Sequence, residues 1–148
     1  MKLIAHRGNT DGPSKYENQP THILEAINKG YDVEVDVRYC SGNLWLGHDK
    51  MDFLLGKDLF DKIIPHAWFH CKDIQSLEYL SGLNKNINFF FHDSDDYVVT
   101  SQGYIWAYPG KIGKTNTVIV MPEYTNTPVP ADSYAVCSDY VSKYQSYA

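Results

Sequence analysis

The sequence predicts an α/β fold, a small (β/α) barrel in which several of the outer helices are replaced by loops. Three observations predict it. Short apolar runs rich in Ile, Val, Phe, Trp and Tyr recur along the chain, with turn-forming residues between them. In the first half these runs alternate with helical patterns, which implies parallel pairing. The chain has only 148 residues, whereas such barrels typically take about 250, so helices must be missing.

The strands are predicted first, because their ends position the polar residues. Each is a run of apolar, β-branched or aromatic residues bounded by Gly, Pro, Asn or Asp. The predicted strands cover residues 2–5, 32–38, 43–46, 67–69, 87–91, 104–107, 117–121 and 134–136. This number of strands is sufficient to close a barrel.

Helical spacing is clear in only two of the gaps between strands. The apolar residues within 23–27 form one helical face, with Pro20 suited to the first turn and Gly30 to the end. Asp73 is placed to N-cap a second helix that ends at Gly82. A short helical piece is also expected within residues 54–64, and no amphipathic helix is predicted after residue 89.

Composition favours a single soluble domain spanning residues 1–148. The formal net charge is −5 and no block of Lys and Arg occurs, which argues against nucleic acid or an anionic membrane as a partner. The first apolar run, Leu3 to Ala5, is far too short for a signal peptide or a membrane anchor, so we expect a cytoplasmic protein. Cys40, Cys71 and Cys137 show no CxxC spacing, and we expect them to be buried and reduced.

Polar residues follow the predicted strands at the points where those strands end. The ones that carry chemistry are His6, Arg7, Glu34, Asp36, His48, His70, Lys72, His92, Asp93 and Asp139. In a parallel barrel all strand ends share one rim, which is where barrel enzymes place their active sites. Residues distant in the sequence are therefore expected to meet there.

Glu34 and Asp36 are two residues apart on a predicted strand, so their side chains point to the same face. Two neighbouring carboxylates repel each other, and a divalent cation with a preference for oxygen ligands relieves that repulsion. The pair is therefore a candidate metal site. A solvated strand face with a neighbouring cation explains the same spacing.

The predicted rim also offers proton-transfer groups and fixed positive charge. His6 and His48 are suited to accept and donate protons near neutral pH, although a lone histidine at a strand end is often only a polar cap. Arg7 and Lys72 are suited to bind phosphate oxygens, or to form an ordinary ion pair with Glu34 or Asp36.

Four ordered motifs in the first third of the chain resemble the glycerophosphodiester phosphodiesterase family. Its pattern is HRG, EN, E-x-D and HD, and the matching segments are His6-Arg7-Gly8, Glu17-Asn18, Glu34-Val35-Asp36 and His48-Asp49. Farther along, Lys72 is similar to the lysine that ends the fourth strand in that family. Ser138-Asp139-Tyr140 is similar to the segment after its last strand.

The resemblance implies a TIM-type barrel that hydrolyses a small glycerophosphodiester to a phosphomonoester and an alcohol. It makes His6 and His48 the acid/base pair, Glu34 and Asp36 ligands of a divalent metal, and Arg7 and Lys72 phosphate contacts. Glu17 would be a supporting residue near His6 and Arg7. Magnesium or calcium is the metal the resemblance implies, and manganese is an alternative.

One departure from the family concerns the metal. The family has a glutamate as third ligand two residues before the lysine, where this chain has His70. An imidazole ligand favours manganese, iron or zinc over calcium. The alternative is that His70 only hydrogen-bonds a metal-bound water or the phosphate.

The sequence leaves two rival functions open. One is a related phospholipid-cleaving lyase of similar barrel form, which would release a cyclic phosphate. The other is a catalytically silent module that binds phosphate. Retention of both His6 and His48 argues against the silent module, because a pure binder needs no proton-transfer pair.

Overall fold

A computed structural model describes residues 1–148 of the protein. It contains one mixed sheet of ten strands. The strands are β1 (Lys2–His6), β2 (Asp32–Cys40), β3 (Asn43–Leu46), β4 (Phe53–Leu55), β5 (Ala67–Cys71), β6 (Asn88–Phe91), β7 (Tyr97–Val99), β8 (Ile105–Ala107), β9 (Thr117–Val120) and β10 (Ala135–Ser138). The helices are α1 (Pro20–Asn28), α2 (Lys57–Ile63), α3 (Ile74–Ser81) and α4 (Pro122–Thr125), and a 3₁₀ helix (Val141–Tyr147) ends the chain.

The parallel part of the sheet forms the series β6-β5-β2-β1-β10-β9-β8. Three strands run against it, since β3 is antiparallel to β2, β4 to β3, and β7 to β8. The prediction of parallel pairing is therefore confirmed for the strands around β1, and it is wrong for β3. The turn Ser41-Gly42 explains the difference, because both residues have positive φ (52° and 82°), as a two-residue hairpin loop requires.

The sheet is strongly curled but does not close into the predicted barrel. β6 is hydrogen-bonded to β5 alone and β7 to β8 alone, so an open seam remains between β6 and β7. A bond from the Ser101 amide to the Phe89 carbonyl (2.9 Å) and side-chain packing bridge the seam. The rings of Phe90 and Trp106, from the two sides of the curl, lie 4.5 Å apart between centroids. In the second half of the chain, β7 forms an antiparallel hairpin with β8 and does not pair with β6, so the barrel stays open.

Two hydrophobic clusters lie on the two faces of this curled sheet. The inner cluster contains Trp68, Phe90 and Trp106 and fills the inside of the curl. The outer cluster joins the other face of β2, at Val33, Val35 and Val37, to the helices. The alternation along β2 therefore directs its even-numbered residues inward.

The predicted helices are confirmed. Pro20 begins α1, and the Asp73 carboxylate accepts the Ser76 amide (2.8 Å) as the N-cap of α3. The short helical piece within residues 54–64 is α2. The prediction missed β4, β7 and α4, because elements of three or four residues show no periodicity. It also missed the final 3₁₀ helix, whose seven residues carry no amphipathic α-helical pattern.

No helix of the protein has the length and apolar character that crossing a membrane requires. The three cysteines are unpaired, and Cys71 and Cys137 are buried as expected, whereas Cys40 is exposed. Cys40 is the last residue of β2, next to the hairpin turn at Ser41-Gly42.

Candidate active site

A pocket of about 370 Å³ opens at the carboxyl ends of the parallel strands. Every predicted site residue except Glu17 and Asp139 lines it. The opposite wall is largely apolar and comes from the ends of β8 and β9, where Trp106, Tyr108 and Met121 lie. The pocket thus has one charged wall and one apolar wall.

Glu34 and Asp36 form the floor of the charged wall and are buried, with 1% and 0% of their surface exposed. The solvated strand face is therefore the wrong interpretation. Burial favours the neutral acid, but His6, His70 and Arg7 outweigh it at Glu34 and lower its pKa. At Asp36, burial and the adjacent Glu34 raise the pKa. Asp36 is therefore the carboxylate that lacks positive charge, as expected beside a cation site.

The His70 ring lies beside this carboxylate pair in a fixed orientation. It stacks on Phe90 with ring centroids 4.7 Å apart, and its Nε2 lies 2.9 Å from the carbonyl oxygen of His92. Because a carbonyl only accepts hydrogen bonds, Nε2 must carry the proton. Nδ1 then faces Glu34 Oε2 at 3.1 Å and Asp36 Oδ1 at 3.7 Å. Without a cation, a proton on Nδ1 is donated to Glu34 Oε2, and a cation between the carboxylates would replace that proton and accept the Nδ1 lone pair.

Glu34, Asp36 and His70 form a group that could hold a metal ion. One ligand atom from each residue can be chosen so that all three lie within 4.8 Å of one another. Asp36 Oδ1 is buried and accepts no hydrogen bond, which leaves an acceptor oxygen without a donor in the group. The bond from His70 Nε2 to a carbonyl is the support that metal-ligating histidines commonly have. The residues present therefore fit a divalent cation.

Arg7 connects the carboxylate pair to the loop that carries the EN motif. Its Nε lies 3.0 Å from Asp36 Oδ2, and its Nη1 donates to Glu17 Oε2 at 3.3 Å. The ion pair with Asp36, which the sequence left as an alternative to phosphate binding, is thus present, although Arg7 also lines the pocket. Glu17 lies outside the pocket and contacts Arg7, in keeping with a supporting role.

His6 ends β1 with both ring nitrogens directed. Nδ1 lies 2.7 Å from Asp139 Oδ1, and Nε2 points into the site, 4.0 Å from Glu34 Oε1. Burial disfavours the imidazolium, but Glu34 and Asp139 outweigh that effect and raise the pKa of His6. Asp139 therefore fixes the ring, and leaves Nε2 as the nitrogen available to a reacting group.

His48 reaches the same pocket by an unexpected route. β3 runs back along β2, pairing Leu46 with Val37, and the Gly47 amide donates to the Asp36 carbonyl at 3.0 Å. The loop after β3 therefore brings His48 back to the level of the carboxylates. His48 Nδ1 lies 2.7 Å from Asp49 Oδ1, so each candidate acid/base histidine has a carboxylate on Nδ1.

Lys72 follows β5 and lines the pocket, and no carboxylate lies within 4.0 Å of its ammonium group. The alternative of an ion pair with Glu34 or Asp36 is therefore wrong for Lys72. Its positive charge remains available for an anion in the pocket.

Sequence reasoning assigned no role to two residues that hold the site together. Asp139 bonds His6 and also accepts from Asn9 Nδ2 (2.9 Å) and the Tyr124 hydroxyl (2.8 Å). Asn18 donates to Asp36 Oδ2 (2.9 Å) and accepts the Asp36 amide (3.0 Å). Asn18 belongs to the EN motif and Asp139 follows the last strand, so both positions carried a signal. Their partners are set by the fold.

Comparison of the chain with protein-family models, with curated proteins and with solved structures found no match.

Proposed function

We propose that the protein is a metal-dependent phosphodiesterase that hydrolyses a small glycerophosphodiester-like substrate to a phosphomonoester and an alcohol. The observation that carries this proposal is the orientation of His6. Its Nδ1 is bonded to Asp139, and its Nε2 points toward the Glu34, Asp36 and His70 group. A histidine held on one nitrogen beside a cation site is suited to take a proton from the attacking oxygen, or to give one to the departing oxygen, when a phosphodiester is cleaved.

The roles of the chain's own residues follow from the pocket. Lys72 and Arg7, which both line the pocket, bind the non-bridging phosphate oxygens. One of His6 and His48 accepts a proton from the attacking water, and the other donates a proton to the departing alcohol oxygen, which leaves a phosphomonoester and an alcohol. Asp139 and Asp49 keep the Nε2 atoms of these rings free for that exchange.

Glu34, Asp36 and His70 would hold the divalent cation, which as a Lewis acid stabilises the negative charge developing on the phosphoryl oxygens. Magnesium or calcium is the ion that the motif resemblance implies, and manganese fits the mixed oxygen and nitrogen ligands better. Without a cation, two buried carboxylates beside an anionic substrate would repel it.

The motifs HRG, EN, E-x-D and HD support the proposal independently of the geometry. Residues from all four motifs lie in the pocket or contact residues in it. On this proposal the open, curled sheet is a reduced form of the TIM-type barrel of the glycerophosphodiester phosphodiesterase family.

The test is turnover of two diesters, bis(p-nitrophenyl) phosphate and a glycerophosphodiester, with magnesium, calcium or manganese and with excess chelator. We expect metal-dependent turnover that His6→Ala or His48→Ala reduces on the order of 10²-fold or more, because positioned proton transfer commonly contributes that much. His66→Ala is the matched control, since that histidine is exposed and outside the pocket.

The products separate the proposal from its rivals. A cyclic phosphate detected by ³¹P NMR would show that the protein catalyses the lyase reaction and not hydrolysis. Absence of turnover of both diesters with every metal would leave a silent phosphate-binding module.

A further inference from the structure

Arg38 is the second of the chain's two arginines, and it emerges from β2 on the same face as Glu34 and Asp36. It does not line the pocket. Its guanidinium instead bonds two consecutive main-chain carbonyls, with Nη2 donating to His48 O at 2.6 Å and Nε to Gly47 O at 3.3 Å. No carboxylate lies within 4.0 Å of it.

The loop that Arg38 contacts has few other ties to the sheet. The Gly47 amide bonds the Asp36 carbonyl, and the Asp52 amide bonds the Leu46 carbonyl. The carbonyls of Gly47 and His48 accept no main-chain hydrogen bond. The side chain of His48 bonds only the adjacent Asp49, which moves with the loop. Arg38 is therefore the side chain that fixes the main chain of His48 to β2.

We propose that Arg38 is a positioning residue that holds the His48 imidazole in register with the phosphate pocket. The proposal rests on the proposed function for its catalytic consequence. The planar fork of an arginine can bond two carbonyls at once, which a lysine ammonium does less well. Displacing a catalytic group by about 1 Å commonly costs on the order of 10²-fold in rate.

A rival role for Arg38 is attraction of the anionic substrate by its unpaired charge. The two roles differ in kinetics. Positioning of His48 lowers kcat and leaves KM unchanged, whereas loss of substrate attraction raises KM. Arg38→Lys keeps the charge and loses the fork, so it should lose kcat almost as strongly as Arg38→Ala.

The sharpest test is a double-mutant cycle with His48. If Arg38 acts through His48, Arg38→Ala should lower kcat on the order of 10- to 10²-fold in the wild-type protein and have almost no effect in the His48→Ala background. An equal loss in both backgrounds, or wild-type kcat in Arg38→Lys, would overturn the proposal.

A second measurement does not depend on turnover. In the NMR spectra of the apo protein, Arg38→Ala should shift and broaden the His48 ring signals and the amides of residues 47–50, and leave the His6 ring signals in place. Asp49→Ala is the control, because it removes the bond to the ring and keeps the main-chain clamp. Unchanged signals in Arg38→Ala would refute the clamp even if the protein proves to be a phosphodiesterase. Shifted signals without any diester turnover would refute only the proposed function.

Discussion

At the scale of single residues, the site is defined by a deficit of positive charge. Three carboxylates, on Glu17, Glu34 and Asp36, share the Arg7 guanidinium and the imidazoles of His6 and His70 within hydrogen-bonding or ion-pair distance. Burial strengthens every interaction among them, so the carboxylate that lacks sufficient neutralisation has its pKa raised. A divalent cation bound between them would supply the missing charge.

The residue-scale prediction concerns His70. Replacing it with glutamate exchanges a nitrogen ligand for a third carboxylate, which hard cations prefer. We expect His70→Glu to bind calcium on the order of tenfold more tightly than the wild type, a difference of about 1.4 kcal/mol. Its preference for manganese over calcium should shrink accordingly. Isothermal titration calorimetry of the two apo proteins with each ion measures this.

His70→Gln is the matched control, because it keeps a polar side chain and removes the imidazole donor. It should weaken manganese binding without strengthening calcium binding. If wild type and His70→Glu rank the ions identically, His70 is not a ligand, and the site consists of two carboxylates completed by water.

The same residues show how far the sequence could predict the site. His6, Glu34, Asp36, His48, His70 and Lys72 were predicted because motif spacing and strand alternation are local properties. The bond between His6 and Asp139 joins residues 133 positions apart, so it depends on β1 pairing with β10. Nothing local to either residue specifies that pairing.

At the scale of elements, the antiparallel β2–β3–β4 meander brings His48 to the pocket, which a parallel third strand was expected to do. A third parallel strand would have needed a crossover connection, whereas Ser41-Gly42 reverses the chain in two residues. The hairpin brings His48 back beside β2 and leaves β5 free to pair directly with β2. Turn chemistry at Ser41-Gly42 carried the signal for this hairpin.

The element-scale prediction concerns Gly47, the residue between β3 and His48. Its φ is 153°, and a Cβ there would lie 1.8 Å from the Lys50 carbonyl oxygen. Gly47→Ala must therefore displace the loop, and we expect a loss of diester turnover on the order of 10²-fold. The expected loss of stability is about 1–3 kcal/mol, measured by urea unfolding.

Gly56→Ala is the control for this substitution. Gly56 precedes α2 with φ of −69° and has no atom within 4 Å of the position of a Cβ, so alanine should be tolerated. Wild-type turnover in Gly47→Ala would show that the loop can relax without moving His48. The conformation of Gly47 would then not be what positions His48.

At the scale of the whole molecule, the curled sheet buries both of its faces with few helices, whereas a closed barrel uses many. Helices α1, α2 and α3 cover the outer face of the first half, and the aromatic inner cluster fills the curl. Eight of the ten strands, and helices α1 to α3, followed from local patterns. Closure depends on whether β6 and β8 can meet, and the three-residue strand β7 occupies that seam instead. Such short strands carry too little pattern to be predicted.

The whole-molecule prediction links the metal to folding stability. Asp36 is fully buried with a raised pKa, so its charge destabilises the apo fold at neutral pH, and a bound cation reverses that cost. At 100 times the dissociation constant, a metal that binds only the folded state adds about 2.7 kcal/mol, or on the order of 5–10 °C in Tm for a domain of this size. Asp36→Asn removes a buried charge whose pKa is raised even with Arg7 beside it, so the gain exceeds the loss of that ion pair, and the apo variant should be more stable than the apo wild type by on the order of 1 kcal/mol. It should also lose most of the metal-dependent increment. Differential scanning calorimetry with chelator and with manganese measures both quantities.

Asp61→Asn, which alters an exposed carboxylate paired with Lys57 and Lys85, is the control and should keep the full increment. A metal increment in Asp36→Asn equal to that of the wild type would show that the cation binds elsewhere.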